Sequence, residues 1–260
     1  MPNPPTGLQN NTPPLDQTDE ATTQLEQAAH RLAQQHQQIT SANFPPHLLQ
    51  RFSTQEATIE AVHQYFVQAS QEERDYSAAA EWILDNYYVV QQALRQVKRD
   101  LPASYYKELP KLDDGSSWHG LPRVFALARH FTIQENCYTD VHRFERFLQA
   151  YQQETPLKMG EVWALPIMLR FCLLECLAQT AVRVTRTAEA LEKVAPMLQF
   201  SVTAADTDVI ANAITGLRQL ASYDWNTFFE ESSLVEQILR QDPAGLYGRM
   251  TFHTRDQYRK

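Results

Sequence analysis

Residues 156–177 form the most apolar stretch of this 260-residue chain, yet non-apolar positions interrupt it, among them Glu161, Pro166, Arg170 and Glu175. A stretch this apolar must be buried. The charges it carries must then be paired, because an unpaired buried charge is very costly. The pattern predicts a helix that starts near Met159 and runs to about Lys193, with the other helices packed around it. Pro166 lies inside the pattern, so it either kinks that helix or marks a first turn. Glu161 and Arg170 are out of phase around a helix, as are Arg170 and Glu175, so each needs a partner from another element. Arg123 and Glu108 are plausible partners, and Arg123 is expected to pair with Glu161.

The flanking sequence extends the helical pattern. Only 7 Gly are present against 14 Pro, and long Ala, Leu, Gln and Glu stretches favour helix. No β-type alternation exceeds four residues. The reading is an all-α, multi-helix array of roughly eight to ten helices around a central apolar helix, with a disordered N-terminus. Residues 1–17, rich in Pro, Asn, Gln and Thr, are expected to be disordered. Residues 18–52 read as an exposed helix with a thin apolar stripe (Leu25, Ala28, Ala29, Leu32) and a linker. Residues 53–260 read as the helical domain, with its C-terminus cut short. Ser53 and Glu56 have capping-box spacing and predict a helix start there. Residues 78–100 form a long helix apolar over more than half its circumference, as expected for one sandwiched between two others. Asp140 and Asp224 are positioned as caps for later helices.

Charge and cysteine use bound the partners. The net charge is −8, which argues against nucleic acid as a partner, because phosphate binding needs a basic field. The last twenty-one residues are the exception: Arg240, Arg249, Arg255, Arg259 and Lys260 outnumber Asp242 and Asp256, which reads as a frayed basic tail or a truncation. Cys137, Cys172 and Cys176 are few, odd in number and without framework spacing. That points to a reducing compartment and buried inert thiols. No secretory signal is apparent, and the best membrane-span candidate, 162–177, falls short of the ~20 apolar residues a span needs. The chain alone therefore reads as soluble, with no direct membrane span.

Loop 103–122 gathers aromatic and charged residues, the kind of segment where function tends to sit. Glycoside cleavage needs two carboxylates across a sugar-sized gap. Asp113, Asp114 and Glu161 are candidates, although Asp113-Asp114-Gly115 also suits a turn and Glu161 suits a helix start. Tyr105, Tyr106, Trp118 and Trp163 can stack on sugar rings, with core packing the simpler reading for Trp163. His119 has no accompanying nucleophile. Asp206-Thr207-Asp208 has the Asp-x-Asp form of a nucleotide-sugar metal motif. Its place at a helix start favours capping instead. Glu108, Arg123 and Arg170 complete the candidate set, as glycan contacts or as a structural charge network.

Segments 81–86, 105–112, 120–124, 147–152, 160–170 and 240–259 together resemble the cyclic β-1,2-glucan synthases. The strongest are Gly160-Glu161-Val162-Trp163-Ala164-Leu165-Pro166 with Leu169-Arg170, and 240–259. The resemblance covers residues from about 78 to the end. That family consists of large membrane glycosyltransferases that polymerise glucose from UDP-glucose and close the product into a ring. The resemblance implies the family's N-terminal cytoplasmic region, at the inner membrane face. It places UDP-glucose and a divalent metal in a transferase domain beyond this chain, and no catalytic residue or cofactor here. Its implied partners are the downstream transferase and membrane domains of the same protein, and glucan. The implied role is a scaffold or docking region. The alternative is a helical carbohydrate-binding or glycoside-cleaving domain using loop 105–123 and Glu161.

Overall fold

The computed structural model describes residues 15–72, 77–185 and 203–259. The expected disorder of residues 1–14 and any helix beyond 185 therefore lie outside the described residues. Eleven α-helices occur among those described: α1 (Leu15–Gln35), α2 (His47–Gln71), α3 (Ala78–Asp100), α4 (Ala103–Glu108), α5 (Arg123–Gln134), α6 (Val141–Glu154), α7 (Met159–Thr185), α8 (Asp206–Ser222), α9 (Trp225–Ser232), α10 (Leu234–Leu239) and α11 (Phe252–Arg259). Two short strands, β1 (Ile39–Thr40) and β2 (Lys111–Leu112), pair antiparallel with Ile39 opposite Leu112. The fold is all-α around one central apolar helix.

That helix is α7. Of its 27 residues, 22 are buried, the pattern of a helix apolar all round and wrapped on every side. It packs against α2, α3, α5, α8 and α9. By length and composition alone α7 is long and apolar enough to cross a membrane, more so than the 162–177 reading allows, but its qualifying window is wholly buried by protein. Pro166 lies inside the helix and does not end it. Gly216 on α8 sits so close to α7 that a Cβ there would meet Leu173 at 3.0 Å and Thr139 at 2.7 Å. A larger residue would push the two helices apart.

Around this centre α3 lies between α2, α7 and α8, as its broad apolar surface predicts. Asp140 caps α6 by accepting from the backbone N–H of His142 (2.9 Å) and Arg143 (3.1 Å), and Asp224 caps α9 by accepting from Asn226 N–H (3.1 Å). The Ser53 box is not used: α2 begins at His47, behind Pro45 and Pro46, because Leu48 and Phe52 are already core residues. Ser53 instead donates back to the Leu49 carbonyl.

Helix α1 is not the solvent-facing helix its thin stripe suggests, and it includes positions 15–17. It packs on α6, burying Leu25, Ala29 and Ala33. The stripe is thin because alanines allow close approach. Thr155 donates to the Ala33 carbonyl (2.9 Å), and just past α1 the ring of His36 meets the Tyr151 hydroxyl (3.1 Å).

The basic end is not frayed either. Arg240 and Arg259 reach the fully buried Glu236 carboxylate at 2.9 and 3.1 Å, Tyr247 donates to it at 2.6 Å, and Arg255 pairs with Glu230. Burial raises the Glu236 carboxyl, but hydrogen bonds from Tyr247 and Arg240 and the Arg259 charge outweigh it and hold the carboxyl below its usual range.

The cysteines depart most from expectation. Asn136 and Cys137 both have positive φ (49° and 61°), a left-handed turn that carries Cys137 onto α7, where it forms a disulfide with Cys176. Only Cys172 is a buried free thiol, pushed well above its ordinary pKa by burial. The reading of Cys176 as an inert thiol is thereby corrected. Its partner lies 39 residues away, beyond the reach of local spacing.

Burial lowers the His36 imidazole from 6.5 to about 4. Above pH 6.5 neither state carries a proton there; between 6.5 and 4 the unfolded chain takes one up and the folded chain does not. Stability should fall across that window by up to about 3 kcal/mol, and His36→Gln should flatten the fall in urea melts at pH 7 and pH 4.5. Thiol titration of the denatured, unreduced chain should count one thiol, rising to three after reduction. Cys137→Ser with Cys176→Ser should lower stability by as much as about 4 kcal/mol.

Candidate functional site

The charges that α7 carries into the core meet guanidinium groups from other helices. Arg123, at the first position of α5, donates from Nε to Glu161 Oε1 and from Nη2 to Glu161 Oε2, both at 2.6 Å, a bidentate pair with Glu161 0% exposed. Arg123 also donates to the Pro156 carbonyl (2.8 Å), and the Lys158 N–H donates to Glu161 (2.9 Å). The pair thus binds the start of α5 and the segment before α7 to the first turn of α7. Glu175, about four turns further along α7, accepts from Arg129 of α5 at 2.6 Å and pairs with Arg51 of α2. Arg51 and Arg129 were not legible as partners. Arg129 carries a faint signal, being a cation inside the apolar run of α5.

Glu161 therefore cannot serve as a cleavage carboxylate. It is sealed from solvent, and both its oxygens are held by Arg123. Asp113 and Asp114 stand on an external turn: Asp114 accepts from the Ser116 N–H (3.0 Å), and Asp113 faces His119 at 3.4 Å with both side chains half exposed. Loop 103–122 is ordered by Lys111. Its ammonium is buried and donates to the carbonyls of Tyr106 (2.9 Å), Lys107 (2.7 Å) and Leu109 (2.7 Å). This takes up carbonyls that the end of α4 leaves open. Tyr106 is fully buried, with its ring 5.1 Å from the Lys111 ammonium, and Glu108 stays exposed at the end of α4. Trp118 lies 5.8 Å from the Arg129 guanidinium and edge-on to Phe125 (6.4 Å). Lys111 is the residue of this loop that sequence reasoning passed over.

The other candidates, Tyr105, Trp163 and Arg170, leave the loop cluster and line a cleft of about 570 Å3 with Trp225, Phe229 and Phe252. Tyr105 donates to the Gly160 carbonyl at 2.6 Å. Arg170 donates to the carbonyls of Pro166 (3.0 Å) and Leu220 (2.6 Å), and burial lowers its pKa to about 10. The candidate set therefore divides in two: a buried charge network and a cleft.

The Asp206 and Asp208 pair does not cap α8. Its N-cap is Ala205, and Asp206 bonds Arg183 at 2.8 Å. Among the described residues no group of three or more His, Cys, Asp or Glu side chains converges on one point.

No family model matches the chain. A stretch of 109 residues, 42% of the chain, is 38% identical to the cyclic beta-(1,2)-glucan synthase NdvB of Rhizobium meliloti (strain 1021). The chain is similar to part of a glucan synthase. The aligned stretch is 4% of that protein's length, so the similarity concerns a small piece of a much larger polypeptide.

The Arg123–Glu161 pair is open to test. Arg123→Ala or Glu161→Ala should cost about 3–5 kcal/mol, because each strands a buried charge. The swap of Arg123→Glu with Glu161→Arg should recover part of the loss, limited by the mismatched Lys158 N–H and Pro156 carbonyl. Urea midpoints of the four proteins measure this, and no recovery in the swap would mean that the pair does not set the fold.

Proposed function

We propose that this chain is a helical segment of a cyclic β-1,2-glucan synthase, a UDP-glucose-dependent glycosyltransferase, and that it acts as a scaffold or docking region rather than as the catalytic part. The observation that carries the reading is the 38% identity over 109 residues to a protein of that name. The fate of the charges supports the scaffold role. Glu161 and Glu175 are both consumed by arginines inside the core, where they fix helix positions. A glycosidase needs two accessible carboxylates about 5–9.5 Å apart, and Glu161 is not accessible. UDP-glucose and its divalent metal belong, on this reading, to a transferase domain of the same protein, which would be the chain's partner together with the membrane domains.

On this reading the segment lies at the inner membrane face, on the cytoplasmic side. Disulfides are rare there, so the Cys137–Cys176 pair bears directly on that placement. The thiol count of protein isolated from its own cells decides it: one thiol speaks against the cytoplasm and three for it.

The function itself has a direct test. Incubated with radiolabelled UDP-glucose and a divalent metal, the chain should incorporate no label. A synthase whose matching 109 residues are deleted should lose glucan synthesis, and replacing that stretch with the corresponding residues of this chain should restore it. Incorporation by the chain itself would overturn the non-catalytic role. Undiminished synthesis in the deletion would overturn the scaffold role.

A further inference from the structure

The cleft lies between the end of α3, α4, the first half of α7 and α9, and α11 closes one side with Phe252 and Asp256. Its volume of about 570 Å3 is that of a small-molecule site. Tyr105, Trp163, Trp225, Phe229 and Phe252 are all half-buried, so part of each ring borders the cleft. The polar groups among them are mostly planar: the amides of Gln96 and Asn226 and the guanidinium–carboxylate pair of Arg99 and Asp100. The charged lining residues are Arg99 and Arg170 against Asp100 and Asp256, so their formal charges cancel.

The rings are positioned before any ligand arrives. Trp225 Nε1 and Arg170 Nη2 both donate to the Leu220 carbonyl, at 2.9 and 2.6 Å, and the guanidinium lies 5.7 Å from the Trp225 ring. Tyr105 is held by Gly160. Pre-set rings lower the ordering cost of binding. Arg170 is the exception among the buried charges of α7. Glu161 and Glu175 have ionic partners, whereas Arg170, 7% exposed, makes no ion pair among the described residues and its Nε has no hydrogen-bond partner. A buried donor left without an acceptor is costly, and a ligand rich in acceptors relieves that cost.

This lining discriminates between ligand classes. A phosphate or carboxylate needs a net cationic site, and here the charges cancel. A lipid chain would bury the amides of Gln96 and Asn226 without partners. A molecule with an apolar ring face and a rim of hydroxyls suits both the aromatic walls and the planar polar groups. We infer that the cleft between α3, α7 and α9 binds an uncharged short saccharide, stacked on Trp163 and Trp225 with its hydroxyls facing Gln96, Asn226 and Asp100. This inference does not use the similarity to a glucan synthase and stands if the scaffold role fails.

The chain has 4 Trp, at 82, 118, 163 and 225, whose indole N–H signals report binding separately in a 15N–1H spectrum. Titration with cellotriose, maltotriose and sophorose should shift Trp163 and Trp225 saturably for at least one sugar, with a Kd on the order of 1 mM. Trp163→Ala should weaken binding at least tenfold and Trp118→Ala less than twofold. Gln96→Ala, which leaves the aromatic walls intact, should weaken it several-fold and serves if Trp163→Ala fails to fold. Three results would overturn the inference: no saturable shift up to about 50 mM of any of the sugars, equal shifts at all four indoles, or shifts at Trp163 and Trp225 with inorganic phosphate and not with sugar.

Discussion

Burying α7 sets the terms for the rest of the molecule. A helix that is apolar all round gains stability only when every side is covered, and covering it takes its charges out of water. Bidentate bonding of Arg123 to Glu161 meets that cost at one end, and the two arginines on Glu175 meet it midway. These contacts also fix geometry. The Arg123 fork can satisfy Glu161 only if α5 starts beside the first turn of α7. Arg51 and Arg129 can share Glu175 only if α2 and α5 flank the same face.

Where local chemistry decides, the sequence is a good guide. Asp140 and Asp224 cap as their positions indicate, α3 lies among the helices its broad apolar surface calls for, and the need to pair Glu161 leads to Arg123. Where the decision is made across the chain, it is not. The alanines of α1 look like a weak stripe until α6 is laid against them. Ser53 and Glu56 form a sound start signal, overridden because Leu48 and Phe52 are needed in the core. The disulfide joins a left-handed turn to the middle of α7, and no spacing rule links Cys137 to Cys176.

The candidate site was legible only in part, for the same reason. Tyr105, Trp163 and Arg170 drew notice as aromatic and charged residues. Their company could not be read, because Trp225, Phe229 and Phe252 come from helices far along the chain. Glu161 drew notice for two reasons, as a charge in need of a partner and as a cleavage carboxylate, and the bidentate bond from Arg123 makes it a structural anchor. Lys111 drew none, because its role depends on three carbonyls that a bent loop brings round it.

The link between Cys137 and Cys176 also has a mechanical meaning. It closes a covalent ring that contains all of α6 and the first two thirds of α7, Glu161 included. Tension applied along the backbone would enter the ring at one sulfur and leave at the other. The chain between them would bear no load, while α1 to α5 on one side and α8 onward on the other could be drawn out. Arg123 and Arg129 stand outside the ring and Glu161 and Glu175 inside it, so these two contacts would be the points at which a pulled α5 parts from a core that cannot unravel.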